Sequence, residues 1–292
     1  MKNIFIPIFF VCFCVFSQTS NKSVLAKYTD DEIKIDGVLD ETSWEAIAPA
    51  TNFYQYFPTD TAQAKRQVEI KFMFSDRNLY VGIKVYAKGK DYIIPSLRRD
   101  FRGGANDSVT LMFDTFNDGT NAFIFGSNPY GVRREMLLSG GGNDVRGFNT
   151  AWDTKWIGES MIHDDHYILE WRIPLSAFKY KEGETKWRFN TYHFDTQDNE
   201  QNTWINIPQN QFIFNLAFMG DLIFDRPLGK SKSPISIIPF VNTITAKDFE
   251  KNESTSNFKI GGDAKLTIAN SMNLDLTLNP DFSQVEVDQQ VT

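Results

Sequence analysis

The sequence predicts an all-β protein whose main part is a β-sandwich. Many short segments alternate apolar and polar residues with a period of two, which is the pattern of strands that bury one face. Turn residues separate these segments at short, similar intervals, and almost no segment has the period of a helix. The chain has 292 residues, of which 41% are hydrophobic and 14% aromatic, so it can bury a sizeable core.

Residues 1–17 are predicted to form a signal peptide, which implies export. Lys2 provides a basic start, residues 4–16 form an apolar run, and Ser17 is a small residue suited to cleavage. A membrane-spanning helix needs about 20 apolar residues, so the shorter run favours a cleaved signal over a retained anchor. Both cysteines lie in this segment, so the mature protein is predicted to have no disulfide, thiolate metal site or cysteine nucleophile.

The charge balance argues against a nucleic-acid partner. The chain carries 30 Lys and Arg against 37 Asp and Glu, a net charge of -7, whereas nucleic-acid-binding domains concentrate basic residues. No glycine-rich phosphate-binding string precedes a predicted helix, so the sequence implies no nucleotide partner either.

The sandwich is predicted to extend over residues 24–226. It begins with a strand at residues 33–35, followed by an Asp-Gly turn. Asp40 is then predicted to cap a short helix over residues 41–48, because Asp is a preferred N-cap residue.

The rest of this domain is predicted to consist of strands. The first two alternate strictly on either side of a polar turn, which predicts a β-hairpin. The predicted strands are residues 68–74, 79–85, 109–113, 122–126, 155–159, 167–173, 187–194 and 221–224.

The composition changes at residues 227–234, which are rich in Pro, Gly, Ser and Lys and are predicted to form a linker. Beyond them, residues 235–241, 259–268 and 272–278 have the alternation of β-strands. Transmembrane barrels are built from such strands of roughly 10 residues, but two further soluble hairpins would show the same pattern. The periodicity alone leaves both alternatives open.

Several strings resemble the family 9 carbohydrate-binding module, a DOMON-like domain. They are Ile-Asp-Gly-Val-Leu-Asp-Glu at residues 35–41 with Trp44 after it, Leu-Tyr-Val-Gly at residues 79–82, and residues 107–114, which begin Asp-Ser-Val and end Phe-Asp. The resemblance implies a sandwich of jelly-roll or immunoglobulin-like type that binds glycan without catalysing a reaction.

Other strings are similar to a family of Gram-negative envelope proteins in which such a module precedes an uncharacterised outer-membrane β-barrel. These strings are residues 114–119, residues 128–132 and Asn-Pro-Asp-Phe-Ser-Gln-Val-Glu at residues 279–286. The resemblance implies that residues 235–292 are the N-terminal part of an incomplete barrel, since such barrels need at least about 8 strands. It also implies a truncated chain located at the cell outer membrane, with the module periplasmic or surface-exposed.

The resemblance implies two stacking positions for a sugar. Characterised family members hold the sugar between two tryptophans, one three residues before the Asp-Ser-Val string and one shortly before the last strand. Here these positions are Gly104 and residues 211–214, and Thr110 replaces the acidic residue that follows the Asp-Ser-Val string. The chain departs from the family pattern at each position, so other residues are needed to bind sugar.

Replacement residues are predicted from their chemistry, because sugar sites combine aromatic faces with polar groups. The candidates for carbohydrate binding are Trp152, Trp156, Trp204, Arg99 and Asp107. The alternative for each tryptophan is a place in the sandwich core. The basic cluster at residues 98–102 also has two interpretations, because it can clamp an anionic glycan or pair with nearby carboxylates.

Calcium is the one cofactor that the sequence suggests. Asp114, Asn117 and Asp118 lie in a loop with the oxygen-rich composition of a Ca²⁺ site, although the spacing of an EF-hand is absent. We treat a bound Ca²⁺ as a hypothesis that rests on the oxygen count.

The predicted function is a non-catalytic carbohydrate-binding module of an outer-membrane protein, which captures glycan for uptake or degradation. The first alternative is a degenerate sandwich that acts as a plug or assembly scaffold without a ligand. The second is hydrolysis of O-glycosyl bonds, which rests on family analogy, since no motif selects a pair of catalytic carboxylates.

Overall fold

The structure, a computed structural model, describes residues 22–230, 236–248, 253–268 and 272–279. The predicted signal peptide, part of the predicted linker and residues 280–286 lie outside the described residues. The described residues form one turn of α-helix, α1 (Thr42–Glu45), and sixteen strands. The strands are β1 (Ser23–Tyr28), β2 (Tyr54–Phe57), β3 (Val68–Phe74), β4 (Asn78–Tyr86), β5 (Ser108–Asp114), β6 (Ala122–Ser127), β7 (Arg133–Leu138), β8 (Phe148–Asn149), β9 (Ile157–Ile162), β10 (His166–Pro174), β11 (Lys186–Asp195), β12 (Glu200–Thr203), β13 (Gly220–Phe224), β14 (Ser236–Asp248), β15 (Glu253–Ile268) and β16 (Met272–Leu278).

Thirteen of these strands form one continuous sheet that folds over on itself. Its order is β8-β7-β6-β5-β11-β13-β1-β3-β4-β10-β9, with β12 paired to β11 and β2 paired to β12. Strand β1 joins the two halves, because it pairs in parallel with both β13 and β3. Phe72 of β3 meets Phe189 of β11 edge-on with ring centroids 5.0 Å apart, so the two halves lie face to face. This arrangement confirms the predicted all-β sandwich.

Aromatic side chains dominate the core between the two halves. Phe113, Phe125, Phe178 and Trp187 are fully buried and pack against one another at edge-on or tilted angles. Each ring removes a large apolar area from water, and such pairs add about 0.5–1.5 kcal/mol beyond the burial itself. The apolar positions of the alternating strands therefore become one continuous aromatic layer.

The N-terminal part of the domain differs from the prediction. Residues 33–35 form no strand, and Ile33 instead packs against Trp44 in a small apolar cluster. The helix is a single turn with Glu41, not Asp40, at its N-cap, and no side chain caps it. The helix ends at Glu45, and Pro49 disfavours helical geometry in Ala48, the last residue of the predicted helix.

The predicted hairpins form. Strands β3 and β4 pair around the expected turn, and β9 pairs with β10 across a turn in which the His163 amide donates to the His166 carbonyl at 2.8 Å. Strand β9 begins at Ile157, two residues after the predicted start. The strands that the sequence pattern did not predict are β1, β2, β7, β8 and β12.

Strands β14, β15 and β16 form a separate three-stranded antiparallel sheet, which confirms the three strands predicted after the linker. Val241 lies opposite Ile260, and Ala264 lies opposite Leu276. Within the described part of the chain, no helix has the length and apolar character needed to cross a membrane.

Candidate functional site

A groove of about 400 Å³ opens on the face of β7 and β11 that points away from the sandwich core. Strand alternation creates this second face, since Phe189 of β11 packs in the core whereas Tyr192 and Phe194 line the groove. We call it the outer groove. Its lining residues are Asp100, Phe101, Arg102, Gly103, Gly104, Arg134, Met136, Val145, Phe148, Thr150, Tyr192, Phe194, Ile213 and Phe214.

Aromatic rings form much of the groove wall. Phe148 and Phe214 meet edge-on with centroids 4.7 Å apart, and Phe212 stacks on Phe214 at 5.1 Å and an interplanar angle of 13°. Tyr192 and Phe194 form a second edge-on contact at 5.4 Å. Phe148 and Phe194 line the groove and are half-buried, so aromatic surface remains available to a ligand.

The two stacking positions implied by the sequence resemblance meet at this groove. Gly104 lines one part of the wall, and Ile213 and Phe214 line another. No heavy atom lies within 4 Å of the point where a Cβ atom of Gly104 would stand. The groove therefore has open space where the family places its first tryptophan, and aromatic surface where the family places its second.

Arg134 of β7 is the charged residue buried most deeply in the groove wall. Its side chain is 6% exposed, and its Nε and Nη1 atoms have no hydrogen-bond partner. Its Nη2 donates only to the sulfur of Met136, at 3.4 Å, and its guanidinium lies 5.6 Å from the ring centroid of Phe101. The groove thus combines aromatic surface with a largely buried guanidinium, two of whose nitrogen atoms have no hydrogen-bond partner in the protein.

A second, smaller cavity of about 270 Å³ shares Gly104 and Phe194 with the outer groove. Its acidic residues are already paired. Glu200 forms an ion pair with Lys65 at 3.3 Å and accepts from Gln55 at 2.6 Å, while Asp195 faces Arg66 at 3.9 Å. This cavity therefore carries no uncompensated charge comparable to that of Arg134.

The sequence over residues 35–223 matches a family model described as Carbohydrate family 9 binding domain-like. The match covers well over half of the chain. The chain belongs to this family. Residues 233–292 match a second family model, described as Domain of unknown function (DUF5916). Among the curated proteins compared with this sequence, none matches.

Solved structures resemble this chain over most of its length. A proposed carbohydrate-binding protein from Bacteroides uniformis ATCC 8492 is 17% identical, covers 70% of this chain and 100% of its own, and superposes with a TM-score of 0.56. A family 9 carbohydrate-binding module from Caldicellulosiruptor kristjanssonii, solved with cellotriose, is 18% identical over 74% of this chain and 98% of its own, with a TM-score of 0.49. The first likeness supports the fold of the sandwich.

Two of the tryptophans predicted to bind sugar lie in the core of this family 9 domain. Trp156 is 3% exposed and packs between Phe125 and Trp171, while Trp204 is 2% exposed and packs against Phe189. Their faces are covered by protein, so the structure corrects the prediction that they stack on a sugar. Trp152 is partly buried against the rings of Phe123 and Phe125 and does not line the outer groove.

Arg99 and Asp107 also have structural partners away from the outer groove. Arg99 forms ion pairs with Glu135 and, at 3.1 Å, with Asp153, and Glu135 also accepts from the Trp156 indole at 2.9 Å. The structure therefore brings Arg99 and Trp156 together. The group that connects them is a buried carboxylate on the core side of β7, away from the outer groove.

Asp107 is 2% exposed and ties two segments together. It accepts from the amide of Ile93 at 3.0 Å and from the amide of Thr196 at 3.1 Å, as well as from the Thr196 hydroxyl. Burial raises the pKa of its carboxyl group. The structure therefore corrects the prediction that Asp107 contacts sugar, since both of its oxygens are engaged inside the fold.

The carboxylates of the predicted calcium loop accept hydrogen bonds from within the loop. Both carboxylate oxygens of Asp114 accept backbone amides, from Phe116 at 3.2 Å and Gly119 at 2.8 Å. Asp118 accepts from the amide and hydroxyl of Thr120, at 2.8 and 2.6 Å, and Asn117 donates to the Lys186 carbonyl at 3.0 Å. Within the described ranges, no three or more His, Cys, Asp or Glu side chains gather as metal ligands. The loop closes through its own hydrogen bonds.

Sequence reasoning missed Arg134 as a candidate binding residue. It lies in β7, whose alternation is hidden because charged residues occupy both faces of the strand. A signal was nevertheless available, since an arginine at an alternating position between apolar residues of a strand faces the same side as they do. The basic cluster that the sequence indicated at residues 98–102 does include a residue of the site, because Arg102 lines the outer groove.

Proposed function

We propose that this chain is a non-catalytic carbohydrate-binding protein and that it binds sugar in the outer groove. The observation that carries the proposal is the coincidence of this groove with the positions that the family 9 resemblance assigns to sugar stacking. Both Gly104 and Phe214 line it. Small-molecule sites are concave, mostly apolar and equipped with a few polar groups, and the groove has each of these properties.

The groove chemistry suits a saccharide. The faces of Phe148 and Phe194 can cover the C–H surface of a pyranose ring, because an aromatic face is weakly negative and a C–H surface weakly positive. The hydroxyls of the sugar require donors and acceptors, which Thr150 and Arg134 supply at the wall.

Binding without hydrolysis is the better-supported activity. Glycoside hydrolysis requires two carboxylates on opposite sides of the scissile bond. Among the described residues that line the outer groove, Asp100 is the one carboxylate. Its Oδ1 accepts from the amide of Glu135 at 3.2 Å, so it also has a structural role.

We infer further that the chain is exported and acts at the outer membrane, where residues 235–292 begin a membrane-inserted barrel that receives or passes on the captured glycan. The paired positions of β14–β16 support this. Val241 pairs with Ile260, whereas the next pair, Asn242 with Lys259, is polar and faces the opposite side. The exposed apolar residues on the first face are Ile237, Val241, Phe258, Ile260, Leu274, Leu276 and Leu278. The strands of a transmembrane barrel alternate in this way, because one face contacts lipid and the other faces a polar interior.

Cell fractionation tests the proposed location. We expect the chain in the outer-membrane fraction of the producing cells, released by detergent and not by salt. Recovery of the folded chain in the cytoplasm would contradict this part of the proposal.

A glycan array on the purified full chain tests carbohydrate binding, with Phe148→Ala as the diagnostic variant. We expect saturable binding to one glycan class and a loss of about tenfold in affinity in the variant, since a ring central to a binding site contributes roughly 1–2 kcal/mol. Tyr130→Ala is the matched control, because Tyr130 is 56% exposed and lies outside the groove.

The array also has outcomes that contradict the proposal. Absence of binding by the folded wild-type chain across all glycan classes would overturn carbohydrate binding altogether. Equal loss of affinity in Phe148→Ala and Tyr130→Ala would place the binding site elsewhere.

A further inference from the structure

Arg134 is a buried cation without an acidic partner. Its side chain is 6% exposed, and neither Nε nor Nη1 has a hydrogen-bond partner. Among the described residues, no carboxylate lies within ion-pair distance of its guanidinium. The adjacent Glu135 points to the other face of β7, where it accepts from the Trp156 indole and pairs with Arg99.

Burial of such a charge is unfavourable unless something compensates it. Moving a charge out of water costs several kcal/mol, which a paired carboxylate normally offsets. Arg66, another arginine of low exposure, shows the usual solution, since it pairs with Asp198 at 2.7 Å and faces Asp195 at 3.9 Å. Arg134 lacks this arrangement among the described residues, and the groove that it lines is the open space beside it.

Two glycines create the space that Arg134 occupies. A Cβ atom on Gly126 would lie 3.0 Å from Cγ of Arg134 and 2.9 Å from the hydroxyl oxygen of Thr110. A Cβ atom on Gly103 would overlap Nη1 and come within 3.4 Å of the Phe194 ring. The guanidinium is thus held between the floor of the sheet and the backbone of residue 103, at the wall of the outer groove.

The surrounding charges favour an anion. Arg102, which is exposed, adds a second positive charge to the groove, against the single carboxylate of Asp100. The acids of the neighbouring cavity, Asp195 and Glu200, already face Arg66 and Lys65. The outer groove therefore presents two cations to one anion next to aromatic surface.

We propose that Arg134 binds an anionic group carried by a saccharide, a carboxylate or a sulfate ester, so that the outer groove selects acidic over neutral glycans. This inference rests on the proposed carbohydrate binding and names the ligand class of the same groove. A carboxylate or sulfate in the groove supplies the negative charge that Arg134 lacks among the described residues, and an ion pair in a partly desolvated site is stronger than one in water. The aromatic wall holds the sugar ring while the guanidinium recognises its charge.

Isothermal titration of the full chain with matched oligosaccharides tests this inference. One arm compares oligogalacturonate with the same oligomer methyl-esterified at its carboxyl groups, and the other compares a sulfated galactan oligomer with its desulfated form. We expect the charged member of one arm to bind at least about tenfold more tightly than its neutral counterpart. The arm that shows the difference distinguishes a carboxylate ligand from a sulfate ligand.

Arg134→Met is the diagnostic variant, because methionine fills most of the same volume without a charge. We expect it to abolish the preference for the charged oligomer and to fold at least as stably as the wild type, since a buried unpaired charge is removed. Arg172→Met on β10 is the matched control, a half-buried arginine outside the groove, and it should keep the preference.

The other outcomes overturn the inference in distinguishable ways. Equal binding of charged and neutral oligomers, unchanged in Arg134→Met, would contradict the role of Arg134 and leave carbohydrate binding intact. A preference that survives in Arg134→Met would assign anion recognition to another residue. Absence of binding to every oligomer by a folded wild-type chain that binds a glycan on the array would overturn the inference and leave the proposed function intact.

Discussion

Gly104 offers a direct test of the groove at the scale of one residue. It lies where the outer groove meets the second cavity, with no heavy atom within 4 Å of its missing Cβ. We expect Gly104→Trp to raise the affinity for neutral oligosaccharides about tenfold, because an indole face there would cover one side of a sugar ring. Its φ lies outside the left-handed region, so the melting temperature should not fall.

Gly229→Trp is the control for this substitution, since Gly229 also has open space around it but lies beyond the sandwich strands. The two variants are compared by titration with the same neutral oligosaccharides. Unchanged affinity in a folded Gly104→Trp chain would argue against sugar binding at this part of the groove.

His193 makes the stability of the fold dependent on pH. Burial lowers the pKa of its imidazole from 6.5 to about 4, although the carboxylate of Asp107 opposes the shift. Between these two pH values the unfolded chain binds a proton that the folded chain excludes. The free energy of unfolding therefore falls as the pH is lowered from 6.5 to 4, by up to about 3 kcal/mol for this group.

Urea denaturation at pH 7 and pH 4.5 measures this effect. We expect His193→Leu to lose less stability than the wild type over this interval, and His163→Gln, a change in the β9–β10 turn, to behave as the wild type does. Burial raises the pKa of Asp107, which acts in the opposite direction at the acidic end, so the comparison between variants is more informative than the absolute slope. Identical slopes in all three chains would refute the assignment to His193.

At the scale of an element, β7 separates the core from the groove. Arg134 and Met136 face the outer groove, whereas Glu135 between them is 1% exposed on the core side. There it accepts from the buried indole of Trp156 and pairs with the partly exposed Arg99. One strand therefore supplies the proposed ligand-binding cation on one face and a structural carboxylate on the other.

We expect Glu135→Ala to destabilise the sandwich by about 2–4 kcal/mol, because it leaves the indole N–H of Trp156 buried without an acceptor and removes a buried ionic partner. Asp153→Ala should cost less than about 1 kcal/mol, since the Asp153 side chain is 80% exposed and surface ion pairs contribute little. Chemical denaturation of both variants provides the comparison. A loss in Glu135→Ala no larger than that in Asp153→Ala would contradict the structural role of Glu135.

The sequence predicted strands correctly where apolar and polar residues alternate strongly. It missed strands that form only because they pair with partners distant in the chain. Strands β3, β4 and β11 bury one face along their whole length, so their sequences alternate clearly. Strand β12 has four residues, mostly polar and buried, and exists because it pairs with β11 on one side and β2 on the other. Its stability comes from these partners, which local periodicity does not reveal.

At the scale of the whole molecule, the outer groove is assembled from residues that are far apart in the chain. Residues 100–104, 134–136, 145–150, 192–194 and 213–214 meet there because β7 and β11 lie in the same half of the folded sheet. The family resemblance pointed to two of these segments, around Gly104 and residues 211–214. The segments around Arg134 and Phe148 join them only through strand order.

The sequence by itself determined the all-β class, the central hairpins and the membership of residues 35–223 in the family 9 fold, because these depend on local alternation, turn chemistry and short strings. Only the tertiary structure decided which aromatic residues are covered and which charge is left unpaired. Trp156 and Trp204 belong to a residue type that commonly binds sugars, yet they are buried because the two halves of the sheet close over them. Arg134 lies in an unremarkable strand, yet it faces a groove because burial and pairing depend on neighbours that sequence distance does not specify.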